Sequence, residues 1–435
     1  MILPIMYRTL QHRAVLCCGL LLGLATAPLN ALTLAKAEQL ALANEPGISN
    51  IRQQALALRD IAVADGQLPD PELQIGGLNL PTDTFDLDQE PMTQIRVAMK
   101  QEFPAGGTLA MRKERTLFVA EGMDFKAQER RLAVLRELRT SWYEAVYWQD
   151  ATDIYAKDRG LFAQLLDTTR SLYRVGRKGQ QDVIRAELEI SQLNDRLLQT
   201  KIQRDIQHNA IARWVGPAAL ASDFTPRWAT LETRSLVGRD HHAVAQTLQH
   251  HPLLQSFASQ VKASEQSLDL AKESYKPRWA LELGYGIRDG DNLDRSDRAD
   301  FLSLVATVQM PLFTAKRQDK VASARVHQRA ASHDAHMEAL RTLTRDALSA
   351  SDRWRQLSAR LALYQEQILP RARLQAGAAL AAYQADTSDF AELMRAYLDE
   401  QQFRLQFHRL RAEQQQALST LHYLLPSATD LEDAQ

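Results

Sequence analysis

Apolar residues recur at helical spacing over long stretches of this chain. Between residues 340 and 368, apolar or small residues alternate at three- and four-residue intervals, as they do in a heptad repeat. They are Leu340, Leu343, Ala347, Ala350, Trp354, Leu357, Leu361, Tyr364 and Ile368. A shorter run of the same kind comprises Leu135, Leu138, Trp142 and Ala145. The repeat predicts helices that pack lengthwise as a coiled coil; the alternative is the buried face of an ordinary helix.

Proline placement marks where these helices can run without interruption. No proline lies between Pro104 and Pro217, and only Pro370 lies between Pro311 and Pro426. Both stretches are rich in Ala, Leu, Arg, Glu and Gln, which are good helix formers. Two very long helical segments are therefore predicted.

Each segment contains one turn-like break, at 176–179 in the first and at 385–388 in the second. We therefore predict one helical hairpin over 108–215 and another over 315–424. The first arm of the first hairpin would span roughly 100 Å, because an α-helix rises about 1.5 Å per residue.

The residues before each hairpin alternate instead with a period of two. One apolar set is Trp279, Leu281, Leu283, Tyr285 and Ile287, and a second is Leu302, Leu304, Ala306, Val308 and Met310. Alternation of this kind predicts strands with one apolar face, at 71–80, 92–103, 278–288 and 300–310. Strands of about ten residues have the length of a membrane β-strand. The first apolar set is accordingly predicted to face lipid.

The hairpin turns belong to a duplicated pattern. The first copy contains Val175, Gly176, Asp182 and Val183. About 210 residues later, Glu392 stands in the place of Asp182, while Asp386 replaces the glycine. A duplication of this size predicts two structurally similar halves, at 32–216 and 241–425. The strands of the two halves disagree at one position. Val97 lies on the apolar face of its predicted strand, whereas the aligned residue Val305 lies on the more polar face. Either a β-bulge or a slip in the alignment would explain this difference.

Residues 1–31 have the features of a secretory signal peptide. Arg8 and Arg13 precede an apolar stretch over 14–25, which is too short to span a bilayer. Cys17 and Cys18 are the two cysteines of the sequence. The exported chain is therefore expected to contain no disulfide and no cysteine metal site.

Composition and motifs argue against several classes of function. The 435-residue chain has a formal net charge of −1, so nucleic acid is not an implied partner. The sequence contains no glycine-rich phosphate loop and no zinc-binding helix motif, so neither an enzyme nor a cofactor is predicted. Two pairs of histidines occur, at 241–242 and at 250–251. We expect them on a solvated helix surface, and the alternative is a metal site.

This order of elements resembles the TolC family of outer-membrane efflux proteins over 32–425. The hairpin-turn motif is the most specific point of resemblance, and the run Gln309-Met310-Pro311-Leu312-Phe313 at the strand-to-helix junction is similar to the family as well. The resemblance implies a mainly α fold with a small β part, in which three chains form a barrel-and-tunnel trimer. Four strands per chain agree with this, because they cannot close a barrel alone. The segment 217–240 and the two termini, including the tail 426–435, would form a belt around the tunnel.

The resemblance also implies an outer-membrane location, a periplasmic adaptor protein and an inner-membrane pump as partners, and a periplasmic aperture lined by carboxylates. The candidates for that aperture are Asp386, Asp389 and Glu392. The alternative for Asp389 and Glu392 is ordinary helix capping. Efflux of heavy-metal cations is one expectation for the substrate. Efflux of organic compounds, protein secretion, or a soluble periplasmic coiled-coil adaptor are the alternatives.

Overall fold

The computed structural model describes residues 32–217, 225–234, 236, 240–427 and 430. The predicted signal peptide lies outside these residues, as do parts of the predicted belt segment and tail. The helices are α1 (Leu34–Asn44), α2 (Pro46–Asp65), α3 (Thr108–Arg174), α4 (Gln180–Val215), α5 (His241–Leu248), α6 (Pro252–Glu273), α7 (Gln318–Leu363), α8 (Leu369–Gln384) and α9 (Phe390–Leu424). The strands are β1 (Glu72–Leu78), β2 (Gln94–Phe103), β3 (Arg278–Ile287) and β4 (Phe301–Gln309). The predicted fold class, mainly α with a small β part, is confirmed.

Two long helical hairpins dominate the chain. The first is α3, which has 67 residues, followed by α4 with 36. The second is α7 and α8 followed by α9. A π-helical turn over Tyr364–Ile368 joins α7 to α8, with the N–H of Leu369 bonded to the carbonyl of Tyr364. The heptad pattern does not predict this turn. Its physical reason is Pro370, whose missing N–H and bulky ring interrupt the regular i to i−4 bonding of an α-helix.

The four strands form one antiparallel sheet in the order β1-β2-β3-β4. The two halves of the chain therefore meet between β2 and β3, where Val97 pairs with Tyr285. The registers are continuous, so the sheet needs no bulge. Ile75 pairs with Val97 in the first half, whereas Leu283 pairs with Leu304 in the second. A slip of one residue in the alignment thus explains why Val97 and Val305 lie on opposite faces.

Helices α2 and α6 also support the hairpins, and the sequence analysis did not predict them. Each begins with a proline in its first turn, Pro46 or Pro252, where the missing N–H costs no hydrogen bond. Helix α2 packs on α3, and α6 packs on both α3 and α7. Within the described residues, no helix has both the length and the apolar character needed to cross a membrane.

A belt of short segments covers the middle of α3 and the C-terminal end of α4. Helix α1, α3 and α4 share a core that contains Leu138, Trp142 and Ile211. The segment 225–234 lies against this core, where the Trp142 Nε1–H donates to the Arg227 carbonyl at 3.0 Å and the Tyr143 hydroxyl to the Ala229 carbonyl at 2.9 Å. Burial raises the pKa of Tyr143 well above its usual range. The hydroxyl therefore stays protonated and remains a donor.

The histidine expectation is wrong for His251. His241 and His242 are exposed at the start of α5, but the His251 side chain is 1% exposed. Its Nδ1 accepts from the N–H of Leu253 at 3.2 Å and so caps α6, while its Nε2 bonds the Tyr423 carbonyl at 3.0 Å. In the described part of the chain, no group of three or more His, Cys, Asp or Glu side chains is placed to hold a metal ion.

Candidate functional site

The two hairpin turns have the same backbone geometry. In the first, the N–H of Gly176 donates to the Tyr173 carbonyl at 2.9 Å and that of Arg177 to the Leu172 carbonyl at 3.0 Å. In the second turn the equivalent donors are Asp386 and Thr387, at 3.2 and 3.0 Å. These paired bonds form a Schellman motif, which needs a left-handed residue at the end of the helix.

Asp386 therefore adopts the conformation that glycine adopts in the first turn. Its φ is 60°, against 74° for Gly176. Asp and Asn tolerate this region better than other residues with a Cβ, because their short polar side chains can bond locally. The replacement of glycine by aspartate thus leaves the turn geometry intact and adds a carboxylate at its apex.

The Asp386 carboxylate joins the two turns. Its Oδ1 lies 2.7 Å from the Lys178 Nζ of the first turn, and its Oδ2 lies 3.6 Å from an Arg177 guanidinium nitrogen. Lys178 also lies over the ring of Tyr383, 4.7 Å from its centroid. The hydrogen bond and charge of Lys178 lower the pKa of Asp386. The sequence analysis did not predict this contact.

The other two candidate carboxylates make different contacts. Asp389 is the N-cap of α9, and its Oδ1 accepts from the N–H of Glu392 at 2.8 Å. Glu392 accepts from the Ser388 hydroxyl at 2.7 Å instead of reaching back to the cap residue. Both carboxylates are exposed. In the first hairpin, Asp182 occupies the equivalent third position of α4. Capping is thus satisfied while the charges remain open to solvent.

An apolar core lies directly behind the turns. It contains Phe162 and Leu166 of α3, Leu193 of α4, and Phe390 and Leu393 of α9. Tyr383, which is 1% exposed, belongs to the same core, and its hydroxyl lies 3.3 Å from that of Thr169. The two hairpins therefore end as one packed unit. The motif residues Val175 and Val183 flank it, with Val175 exposed and Val183 half-buried.

A buried polar network lies further along the hairpins, and sequence reasoning missed it. Asp158 of α3 is 3% exposed; its two oxygens accept from Gln401 at 2.7 Å and from Arg404 at 2.6 Å. Arg196 of α4 donates to Gln401 at 3.3 Å. The network ties α3, α4 and α9 together in register. No local motif identifies the network, because its hydrogen bonds join different helices. Arg196 and Gln401 lie 205 residues apart in sequence, and Asp158 and Arg404 lie 246 residues apart.

The sheet has one apolar and one polar face. The residues predicted to face lipid, Trp279, Leu281, Leu283, Tyr285 and Ile287, are between 39% and 53% exposed. They share their face with Leu302, Leu304 and Val308 through the β3–β4 register. Between them, Ala280, Gly284 and Gly286 are buried on the opposite face. The sheet and the hairpin turns are separated by the whole of α3, a length of about 100 Å.

Structural similarity identifies the architecture. The outer-membrane channel OprN superposes with a TM-score of 0.77 and 18% identity, over 91% of this chain and 90% of that chain. The chain has the TolC fold. VceC from Vibrio cholerae matches this TolC fold at a TM-score of 0.76 and 15% identity, over 90% and 95% of the two chains. CusC, whose crystal structures concern folding and transmembrane channel formation, matches at a TM-score of 0.76 and 13% identity, over 90% of this chain and 92% of that chain. No family model and no curated protein matches the sequence.

Proposed function

We propose that this chain is the outer-membrane exit duct of a tripartite efflux system and acts as a homotrimer. The observation that carries the proposal is the coupling of two features within a TolC fold. One is a sheet with an exposed apolar face, in which three of the four strands have nine or ten residues, the length of a membrane β-strand. The other is a pair of helical hairpins whose turns form one unit far from the sheet. Such a chain suits a duct that starts in the periplasm and ends in the outer membrane.

The open edges of the sheet support a trimer. Strands β1 and β4 are the first and last in the sheet order, so each leaves one row of backbone groups unpaired within the chain. Lipid offers no hydrogen bonds to such groups, and an open edge in a bilayer is therefore not tolerated. Three chains would supply twelve strands, enough for a closed barrel with a lumen.

Helix α4 supports the same assembly. Its exposed apolar residues Ile184, Leu188, Leu198, Ile202 and Ile206 are between 49% and 60% exposed. They recur near helical spacing and form a stripe on one side of the helix. A second copy of the chain, packed lengthwise on α4, would cover this stripe as the trimer requires.

The carboxylates at the hairpin turns support passage of cations, with heavy-metal cations among them. Asp389 and Glu392 carry exposed charges, and a threefold axis would arrange them as rings. Asp386 contributes differently, because Lys178 and Arg177 already offset its charge. We therefore assign the ring of charge to Asp389 and Glu392 and the link between hairpins to Asp386.

Two measurements test the duct. The mass of the detergent-solubilised protein is expected to be that of three chains, and the protein is expected to fractionate with the outer membrane. A stable monomer in detergent would refute the trimer, and recovery only in the soluble periplasmic fraction would favour an adaptor. For the substrate, a deletion strain complemented with this chain is expected to regain efflux of metal cations; regained efflux of dyes alone would indicate organic compounds.

The architecture supports contact with partner proteins at the hairpin turns. A periplasmic adaptor and an inner-membrane pump would deliver substrate at the hairpin turns, where Val175 is 69% exposed. A photo-crosslinker at Val175 is expected to capture an adaptor, while one at the equally accessible Leu73 of the sheet, which is 63% exposed, is not. Capture of the same adaptor from both positions would contradict this orientation.

A further inference from the structure

All charged residues of the four described strands lie on one face of the sheet. The three cationic ones are Arg96, Lys100 and Arg278, and the three carboxylates are Glu72, Glu102 and Glu282. The opposite face of these strands carries no charged residue. If the chain is the duct proposed above, the charged face lines the lumen of the barrel. The wall of that lumen then contains equal numbers of positive and negative groups.

Five of the six charged residues on this face form ion pairs at short range, and Arg278 instead donates to Gln309. Arg96 and Glu282 approach to 2.5 Å, with side chains that are 24% and 17% exposed. The Lys100 Nζ lies 3.0 Å from Glu102 and 3.5 Å from Glu72. The Arg96–Glu282 pair is the more shielded of the two groups. It also joins β2 to β3, and thus the two halves of the chain.

Gly284 makes the Arg96–Glu282 pair possible. Arg96 stands opposite Gly286, and Glu282 stands opposite Lys100, so the pair Ala98 and Gly284 lies between them. The Arg96 side chain must therefore cross residue 284 to reach Glu282. A Cβ on Gly284 would lie 2.6 Å from the Arg96 Nε and 2.8 Å from a terminal guanidinium nitrogen. A side chain at residue 284 would therefore force the Arg96 guanidinium to shift from its place beside Glu282.

We propose that the Arg96–Glu282 pair sets the ion preference of the barrel lumen by holding its wall near neutrality, and that Gly284 is required for Arg96 to lie in that pair. This inference rests on the proposed duct. Removing either partner would leave a single uncompensated charge per chain and three around the lumen. The two removals would shift the local potential in opposite directions.

A cysteine probe next to the pair measures this potential without involving the distant hairpin turns. The two cysteines of the sequence both lie within the predicted signal peptide, so Ser303→Cys would introduce a lone thiol. Ser303 pairs with Gly284 on the charged face, and its neighbour Leu304 points to the apolar face. Cationic and anionic methanethiosulfonate reagents of similar size, added from the outside, report the local potential as the ratio of their reaction rates.

In this background, Arg96→Gln is expected to raise the cation-to-anion rate ratio and Glu282→Gln to lower it. Each ratio should change by about sevenfold, because a potential change near one kT/e speeds one reagent and slows the other by about e-fold. The double variant is expected to return the ratio to that of the parent. If the parent, the two single variants and the double variant all gave the same cation-to-anion rate ratio, the inference would be overturned and the pair would be a structural contact only. Such a result would leave the duct standing, since trimer mass and outer-membrane location are measured separately.

Two controls complete the test. Leu304→Cys is expected to resist both reagents in the membrane; a reactive Leu304→Cys with a protected Ser303→Cys would reverse the faces and overturn the inference. For the glycine, Gly76 pairs with Arg96 on its other side, and a Cβ there meets no atom within 4 Å. Gly284→Ala is expected to lower the melting temperature of the trimer more than Gly76→Ala, and to lose this excess when Arg96 is alanine. Equal effects of the two glycine variants would refute the role of Gly284.

Discussion

Asp389 combines a capping oxygen and a solvent-exposed charge, and two substitutions separate them. Its Oδ1 accepts from the N–H of Glu392 at 2.8 Å, and its backbone has the extended conformation of an N-cap, with φ −91° and ψ 166°. Asparagine keeps an oxygen in this place and removes the charge. Alanine removes both. The difference between the two variants therefore isolates the cap, and the difference between asparagine and wild type isolates the charge.

The magnitudes expected for the two roles differ. Loss of an N-cap costs about 1 kcal/mol, within a range of about 0.5–2 kcal/mol, whereas Asn caps a helix about as well as Asp. Asp389→Asn is thus expected to leave stability nearly unchanged, and Asp389→Ala to lower it by about 1 kcal/mol per chain. Both variants remove one carboxylate per chain from the proposed ring. Both should therefore reduce preference for cations by a similar factor.

Single-channel recordings in a salt gradient measure the preference, and thermal unfolding measures the cap. Glu392→Gln is the matched companion, because its amide oxygen can still accept from Ser388. Reversal potentials that move toward zero in both asparagine and glutamine variants would support the aperture. An unchanged reversal potential in a correctly assembled Asp389→Asn trimer would falsify the aperture assignment and leave Asp389 as a helix cap only.

Further predictions concern the sheet, the N-terminal cap of α6 and the link between hairpins. Leu283→Arg on the apolar face is expected to cost about 2–4 kcal/mol near the midplane of a bilayer, whereas Thr307→Arg on the charged face should be tolerated; equal damage, measured by refolding into lipid, would refute the assigned faces. Burial lowers the pKa of His251, so below about pH 6.5 the unfolded chain takes up a proton that the folded chain does not. The free energy of unfolding is therefore expected to fall as the pH drops through this range. His251→Leu should flatten that pH profile and cost about 2–3 kcal/mol at neutral pH through the lost cap and the unpaired carbonyl; an unchanged profile would contradict this. Lys178→Met and Asp386→Asn are each expected to loosen the contact between the two turns and to speed amide hydrogen exchange at Arg177 and Thr387. The double variant should add little, and additive effects would show that the two residues act separately.

Much of the architecture follows from local sequence signals. Period-two alternation from Trp279 to Ile287 predicted the strands, and long stretches with at most one proline predicted the helices. These signals suffice because side-chain periodicity depends on backbone geometry alone. The duplicated motif around Gly176 also predicted two equivalent turns. Because Asp386 stands in place of that glycine, the sequence did not determine the backbone geometry of the second turn. The φ of 60° at Asp386 shows that the geometry is the same as in the first turn.

The partners of individual side chains were decided by the tertiary structure. Lys178 and Asp386 lie 208 residues apart in sequence, and their contact exists only because α3 and α9 bring the two turns together. His251 looked like part of a polar surface, yet the end of α9 buries it. Arg96 and Glu282 are similarly joined by a strand pairing that no local pattern specifies. Periodicity is a property of each segment, whereas burial and charge pairing depend on which segments meet.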